Sequence, residues 1–154
     1  MSEPLTINPR IIEALYCEAL VLSDEVRNAF ALSGRLERLG TDEDLARVAL
    51  SSEGLRTTTR MMHAIAWLLN HRAYFKGEIS EAQLHRNGKL TPEPRRPDPR
   101  QAALLEAEVT RLVERTRHFY DRLLRLDDCW RLTGAAPTSA IERLRARIEQ
   151  RLAS

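Results

Sequence analysis

The residue types able to do chemistry concentrate in one stretch, LRTTTRMMHAIAWLLNHRAYFKGEI, residues 55–79, where two histidines, a tryptophan and a tyrosine interrupt an apolar helical pattern. A metal site is the first chemistry to test. His63 and His71 are eight residues apart, about 12 Å along a helix, too far to share one ion. Neither has an Asp, Glu or Cys four residues away, so no metal ligand set is expected. The six glycines stand singly, which leaves no phosphate-cradling loop, and no nucleophile elbow or catalytic-cysteine context occurs. No catalytic residue and no cofactor is therefore expected, and enzyme is the least supported class.

Recognition is the other use of such residues. At about 100° per residue, Met61, Met62, Ile65, Leu68 and Leu69 share one arc and read as the core side. Arg56, Arg60, His63, Trp67, Asn70, His71 and Tyr74 fall together on the opposite side. Tryptophan, tyrosine and arginine are the usual energetic anchors of protein interfaces. Arg56, Arg60, His63, Trp67, His71 and Tyr74 are thus the candidate partner-binding residues. The competing reading is intrachain packing, with the first helix lying over this face but too short to reach residues 68–76.

The elements that must position these residues are all helical. Asn8 and Pro9 open the first helix, with Ile12, Leu15, Ala19, Leu22, Val26 and Ala29 in an alternating three–four row that stops near Ser33 and Gly34. The second runs from a Thr41 cap to Lys76 and Gly77. It passes Gly54, where alanine is expected to be harmless or slightly stabilising. SEAQLHR adds a short turn, and NGKLTPEPRRPDP, residues 87–99, is a loop carrying four of the seven prolines. The third helix starts at Asp98 and Pro99 and carries Leu105, Val109, Leu112, Thr116, Phe119, Leu123, Leu126 and Trp130. It ends at RLTGAAPTSA, after which Thr138 or Ser139 caps a last helix with Ile141, Leu144, Ile148 and Leu152. The predicted fold is all-α: an up-down-up three-helix bundle over 1–136 and a short C-terminal helix or tail over 137–154. That topology puts Cys17 and Cys129 about 30 Å apart, excluding a disulfide between them.

The 154 residues are one domain's worth, and a 43% apolar fraction can build a core. Charged residues make up 30% with a net charge of +2, too balanced to attract nucleic acid or a membrane surface. No signal-like leader and no run of about 18 apolar residues occurs, so a cytoplasmic protein is expected.

Residues 45–80, LARVALSSEGLRTTTRMMHAIAWLLNHRAYFKGEIS, resemble the alphaproteobacterial RcdA proteins, regulators of CtrA degradation. The matching positions include Leu45, Ala46, Arg47, Glu53, Leu55, Arg56, Thr58, Thr59, Arg60, Met62, Trp67, Leu68, Leu69, Arg72, Ala73, Gly77, Glu78 and Ile79, and RTRHFYDRLLRLDD looks like the end of that family's third helix. His63 and His71 stand where the pattern usually has glutamine. The resemblance implies a homodimeric, non-enzymatic adaptor that brings cell-cycle transcription factors to the ClpXP protease with a response-regulator-like co-adaptor. The alternatives are a homodimeric helical scaffold with no protease link and, behind it, a nucleic-acid-binding regulator.

Overall fold

Asn8 caps the first helix as its type requires: its Oδ1 accepts from the Ile11 N–H at 2.9 Å, and Pro9 takes the first helical position. The computed structural model describes residues 7–36, 44–93 and 96–152, with side chains described except at 32–36, 44, 133–147 and 150. It contains α1 (Pro9–Leu36), α2 (Asp44–Phe75), α3 (Glu81–Asn87), α4 (Pro99–Ala102) and α5 (Ala107–Leu152). No strand occurs among the described residues, and the fold is all-α. The Thr41 cap lies outside them.

The end of α2 follows from one glycine. Gly77 sits at φ 77°, where a side chain would be strained. From there the Glu78 N–H reaches the Ala73 carbonyl at 2.9 Å and the Gly77 N–H reaches that of Tyr74 at 3.0 Å, closing the helix in a Schellman motif. Ser80 and Gln83 then form a reciprocal capping box that starts α3.

The rows predicted on the outer helices hold. Ile12, Leu15, Ala19, Leu22 and Val26 of α1 meet Leu112, Phe119, Tyr120 and Leu123 of α5 in one buried cluster, with Met61, Ala64, Trp67 and Leu68 between them. Each large aliphatic residue so buried contributes about 1.5–3 kcal/mol. A smaller cluster of Leu50, Val109 and Val113 closes the end near Phe30.

Three expectations are corrected. The helix order is not up-down-up. Glu18 pairs with Arg122 and Glu25 with Arg115, so α1 is antiparallel to α5. Glu13 pairs with Arg72 and Phe30 lies against Gly54, so α1 is antiparallel to α2 as well. Thus α2 and α5 are parallel, and residues 76–106 carry the chain back along the bundle. Cys17 and Cys129 fall in the same half of it, not at opposite ends, and both are exposed and outside any disulfide. Second, α4 is a separate four-residue turn at Asp98 and Pro99, and α5 starts only at Ala107. Third, the α5 backbone continues past Gly134 and Pro137 to Leu152, so the third helix does not end at RLTGAAPTSA; the Thr138 and Ser139 side chains lie outside the described set.

The expected core arc of α2 is corrected too. Met61 and Leu68 are buried and Ile65 is half-buried, but Met62 is 65% exposed and Leu69 is also exposed. The buried arc centres on Thr57 and Ala64, and it takes Glu53, Arg60, Trp67 and His71 inward. Packed on one side by α1 and on the other by α5, α2 turns its polar and aromatic side toward α5. Gly54 also has a packing reason: a Cβ there would meet Phe30 Cδ1 at 3.1 Å.

A candidate docking groove between the second and fifth helices

The connection from α3 to α4 includes an extended strap, described at residues 88–93 and 96–98, laid along the junction of α2 and α5, and side chains from both helices pin it. Arg60 of α2 is almost fully buried and donates from Nε to Glu93 of the strap, and from Nη1 to Thr116 Oγ1 of α5 at 2.9 Å. Glu53, one helical turn before Thr57, is buried among Arg56 Nη1 at 3.1 Å, Thr57 Oγ1 at 3.4 Å and Arg117 Nη2 at 3.6 Å. A buried carboxylate and a buried guanidinium are tolerable only with such partners. Tyr120 donates its hydroxyl to the Thr91 carbonyl. Burial, with Glu93 nearby, raises the Tyr120 phenol to about 12, keeping it a donor.

A second polar centre fixes the other end of the strap. Asp127 is buried and accepts from Trp67 Nε1 at 3.0 Å, Arg131 Nε at 3.1 Å and the Leu90 N–H at 3.3 Å. Arg131 Nη1 also donates to the His85 carbonyl at 3.1 Å. His71 lies fully buried beside Trp67, ring centroids 4.1 Å apart, and edge-on to Trp130 at 5.4 Å. Neither ring nitrogen of His71 has a hydrogen-bond partner among the described residues. Burial lowers its pKa to about 4 against the opposing pull of Asp127, so it is a neutral aromatic filler.

These centres place the six expected partner-binding residues. They do share one side of α2, but that side faces α5 and the strap. Arg60, Trp67 and His71 are interior residues of the single chain, so their reading as surface contacts is corrected. Arg56 and Tyr74 are half-buried and His63 is exposed. Helix pattern alone missed α5 and the strap as the cover, because both come from distant sequence.

What remains open is a groove of about 620 Å³ above the Arg60 centre, within the range of ligand-holding clefts. Leu55, Arg56, Thr59 and His63 form its α2 wall, and Glu114, Arg117, His118 and Asp121 its α5 wall. Thr91, Pro92, Glu93, Arg96 and Pro97 of the strap also line it. Prolines lack backbone donors and hold the strap extended, leaving the groove with apolar patches between charges of both signs. Among the described residues, no group of three potential metal ligands occurs. No described helix is long and apolar enough to cross a membrane.

A family model described as Protein of unknown function (DUF1465) matches residues 4–152 of the chain. No curated protein and no solved structure matches it. The chain belongs to this family.

Proposed function

With membership of that family as the premise, we propose that the chain is a non-enzymatic adaptor whose groove holds an extended segment of a partner protein. One observation carries the reading. Leu55, Arg56, Thr59 and Arg60 of α2 belong both to the stretch that resembles the RcdA proteins and to the lining of the groove. The resemblance supplies the setting: a cytoplasmic homodimer that helps deliver cell-cycle transcription factors to the ClpXP protease together with a response-regulator-like co-adaptor. Glu93, Glu114 and Asp121 around the groove weigh against nucleic acid, whose affinity rests on phosphate neutralisation.

Degradation of a transcription-factor substrate by purified ClpXP should speed up when this protein and a response-regulator-like partner are added. No acceleration in any combination overturns the adaptor reading and leaves a helical scaffold without a protease link. Replacing two exposed lining residues, Arg96→Glu with His118→Glu, should weaken partner binding by about tenfold, equivalent to about 1.4 kcal/mol. Salt-sensitive DNA binding in a gel-shift titration would favour the regulator instead.

A further inference from the structure

Between Thr91 and the Asp98 cap of α4, the strap has one polar attachment among the described residues, the Glu93 carboxylate on Arg60. Pro92 and Pro97 have no N–H to give. Arg96, exposed at the rim of the groove, has no hydrogen bond or ion pair among the described residues. The two ends of the attachment are unlike. The Arg60 side chain is 6% exposed and rooted between the helices, with Thr116 Oγ1 at 2.9 Å and Thr57 Oγ1 at 3.5 Å. The Glu93 side chain is 25% exposed and reaches in from the strap. Both threonines are neutral, and the nearby Glu53 is shared by Arg56 and Arg117. Glu93 is therefore the one carboxylate paired with Arg60 among the described residues.

We infer that Arg60 is the anchor of the groove for a carboxylate side chain of the partner segment, and that Glu93 holds the place of that carboxylate until the segment docks. The inference rests on the groove reading above and deepens it by naming the partner's chemistry, an acidic extended segment. A buried guanidinium left without an anion is strongly destabilising, so Glu93 can leave only when another carboxylate takes its place. Such an exchange keeps the count of charges, and the planar guanidinium fork accepts either carboxylate alike. A neutral segment cannot make it. Arg60 and Glu93 both line the groove, so a segment lying there meets the pair directly.

The surroundings favour the same ligand. Leu55, Pro92 and Pro97 offer apolar surface to the residues on either side of an incoming carboxylate. Glu114 is taken by Arg117 at 2.9 Å, which leaves Asp121 as the unpaired acid of the lining. Arg96 is the unpaired arginine. Entry is thus favoured on the strap side, where Arg96 stands, over the α5 side, where Asp121 stands.

The test uses the full chain. Glu93→Ala removes a group equal to acetate and should lower the melting temperature. Sodium acetate should recover at least half of that loss relative to sodium chloride of equal ionic strength, because it binds the folded chain alone. Acetamide, of the same shape without the charge, should recover none, and the parent should gain nothing from acetate. An unchanged melting temperature in Glu93→Ala overturns the proposal, as does equal recovery in acetate, acetamide and chloride. Recovery by inorganic phosphate and not by acetate overturns it too, in favour of a phosphoryl ligand. Should Glu93→Ala not fold, the parent still decides by fluorescence anisotropy with a labelled peptide that carries one glutamate between two prolines. It should bind about tenfold or more tightly than its glutamine counterpart; equal affinity, or no binding of either, overturns the anchor. Acetate recovery without any acceleration of ClpXP overturns the adaptor reading alone. Acceleration by the parent with no acetate recovery and no peptide preference overturns the anchor alone.

Discussion

The two sides of α2 invert the usual relation between polarity and burial. Inward lie a glutamate, an arginine, a tryptophan and a histidine, all less than a tenth exposed. Outward lie Leu45, Val48, Leu55, Met62 and Leu69. The inward side is shared with α5 and a strap rich in backbone polar groups, and its side chains are chosen for the partners they meet. The outward side has no cover among the described residues. Burial is thus decided by what a residue faces, and hydropathy alone misassigns both sides.

The sharpest test of this inversion is Trp67→Ala. It should cost about 3–5 kcal/mol in urea unfolding, because it empties core volume and strips Asp127 of one donor; a loss below about 1 kcal/mol would return Trp67 to the surface. The next effect is pH-dependent. His71 is held neutral, with its pKa lowered from 6.5 to about 4 by burial. The unfolded chain therefore binds a proton the folded one refuses between those values, and stability falls as pH drops from 6.5 toward 4. The loss reaches up to about 3 kcal/mol at 1.36 kcal/mol per unit. His71→Gln removes this part of the slope, so the stability difference between parent and variant should be flat above pH 7 and shift in the variant's favour below 6. A constant difference would show that His71 is accessible to protons.

How much of this the sequence discloses depends on how many neighbours a helix has. The rows of α1 and α5 were legible because each helix buries one stripe, and Leu112, Phe119 and Leu123 stand in a single period. The α2 pattern carries two superimposed periods, inward and outward, and Met61 and Met62 side by side cannot be sorted without the rest of the fold. The parallel course of α2 and α5 was illegible for another reason: prolines announce a loop but not its direction. The groove needed both answers, so from the sequence only its α2 wall was within reach, in Arg56, Arg60 and His63.

Two smaller effects complete the comparison. Gly54→Val should cost about 1–3 kcal/mol by overpacking, since even a Cβ there meets the Phe30 ring at 3.1 Å; a neutral result would mean that α1 can shift away. Met62→Ala should change the unfolding free energy of the isolated chain by less than about 0.5 kcal/mol, measured at a dilution where any dimer has dissociated. A larger loss would place Met62 in the core after all.

The strap is also a ruler. From Leu90, bonded to Asp127, to Glu93, bonded to the Arg60 that also holds Thr116, it advances three residues. That is at most about 11 Å of fully extended chain. On α5 the same two anchor points are eleven residues apart, about 16 Å of helix rise. Only the reach of the Arg60 and Asp127 side chains closes the gap, so this stretch has no slack. Its length in residues, which no hydrophobic pattern encodes, must match the register that the direct Arg60–Thr116 and Trp67–Asp127 bonds give α5 along α2. Deleting one residue from it would draw the helices out of step by about 3 Å, two residues of helix rise, and present a different set of side chains across the groove.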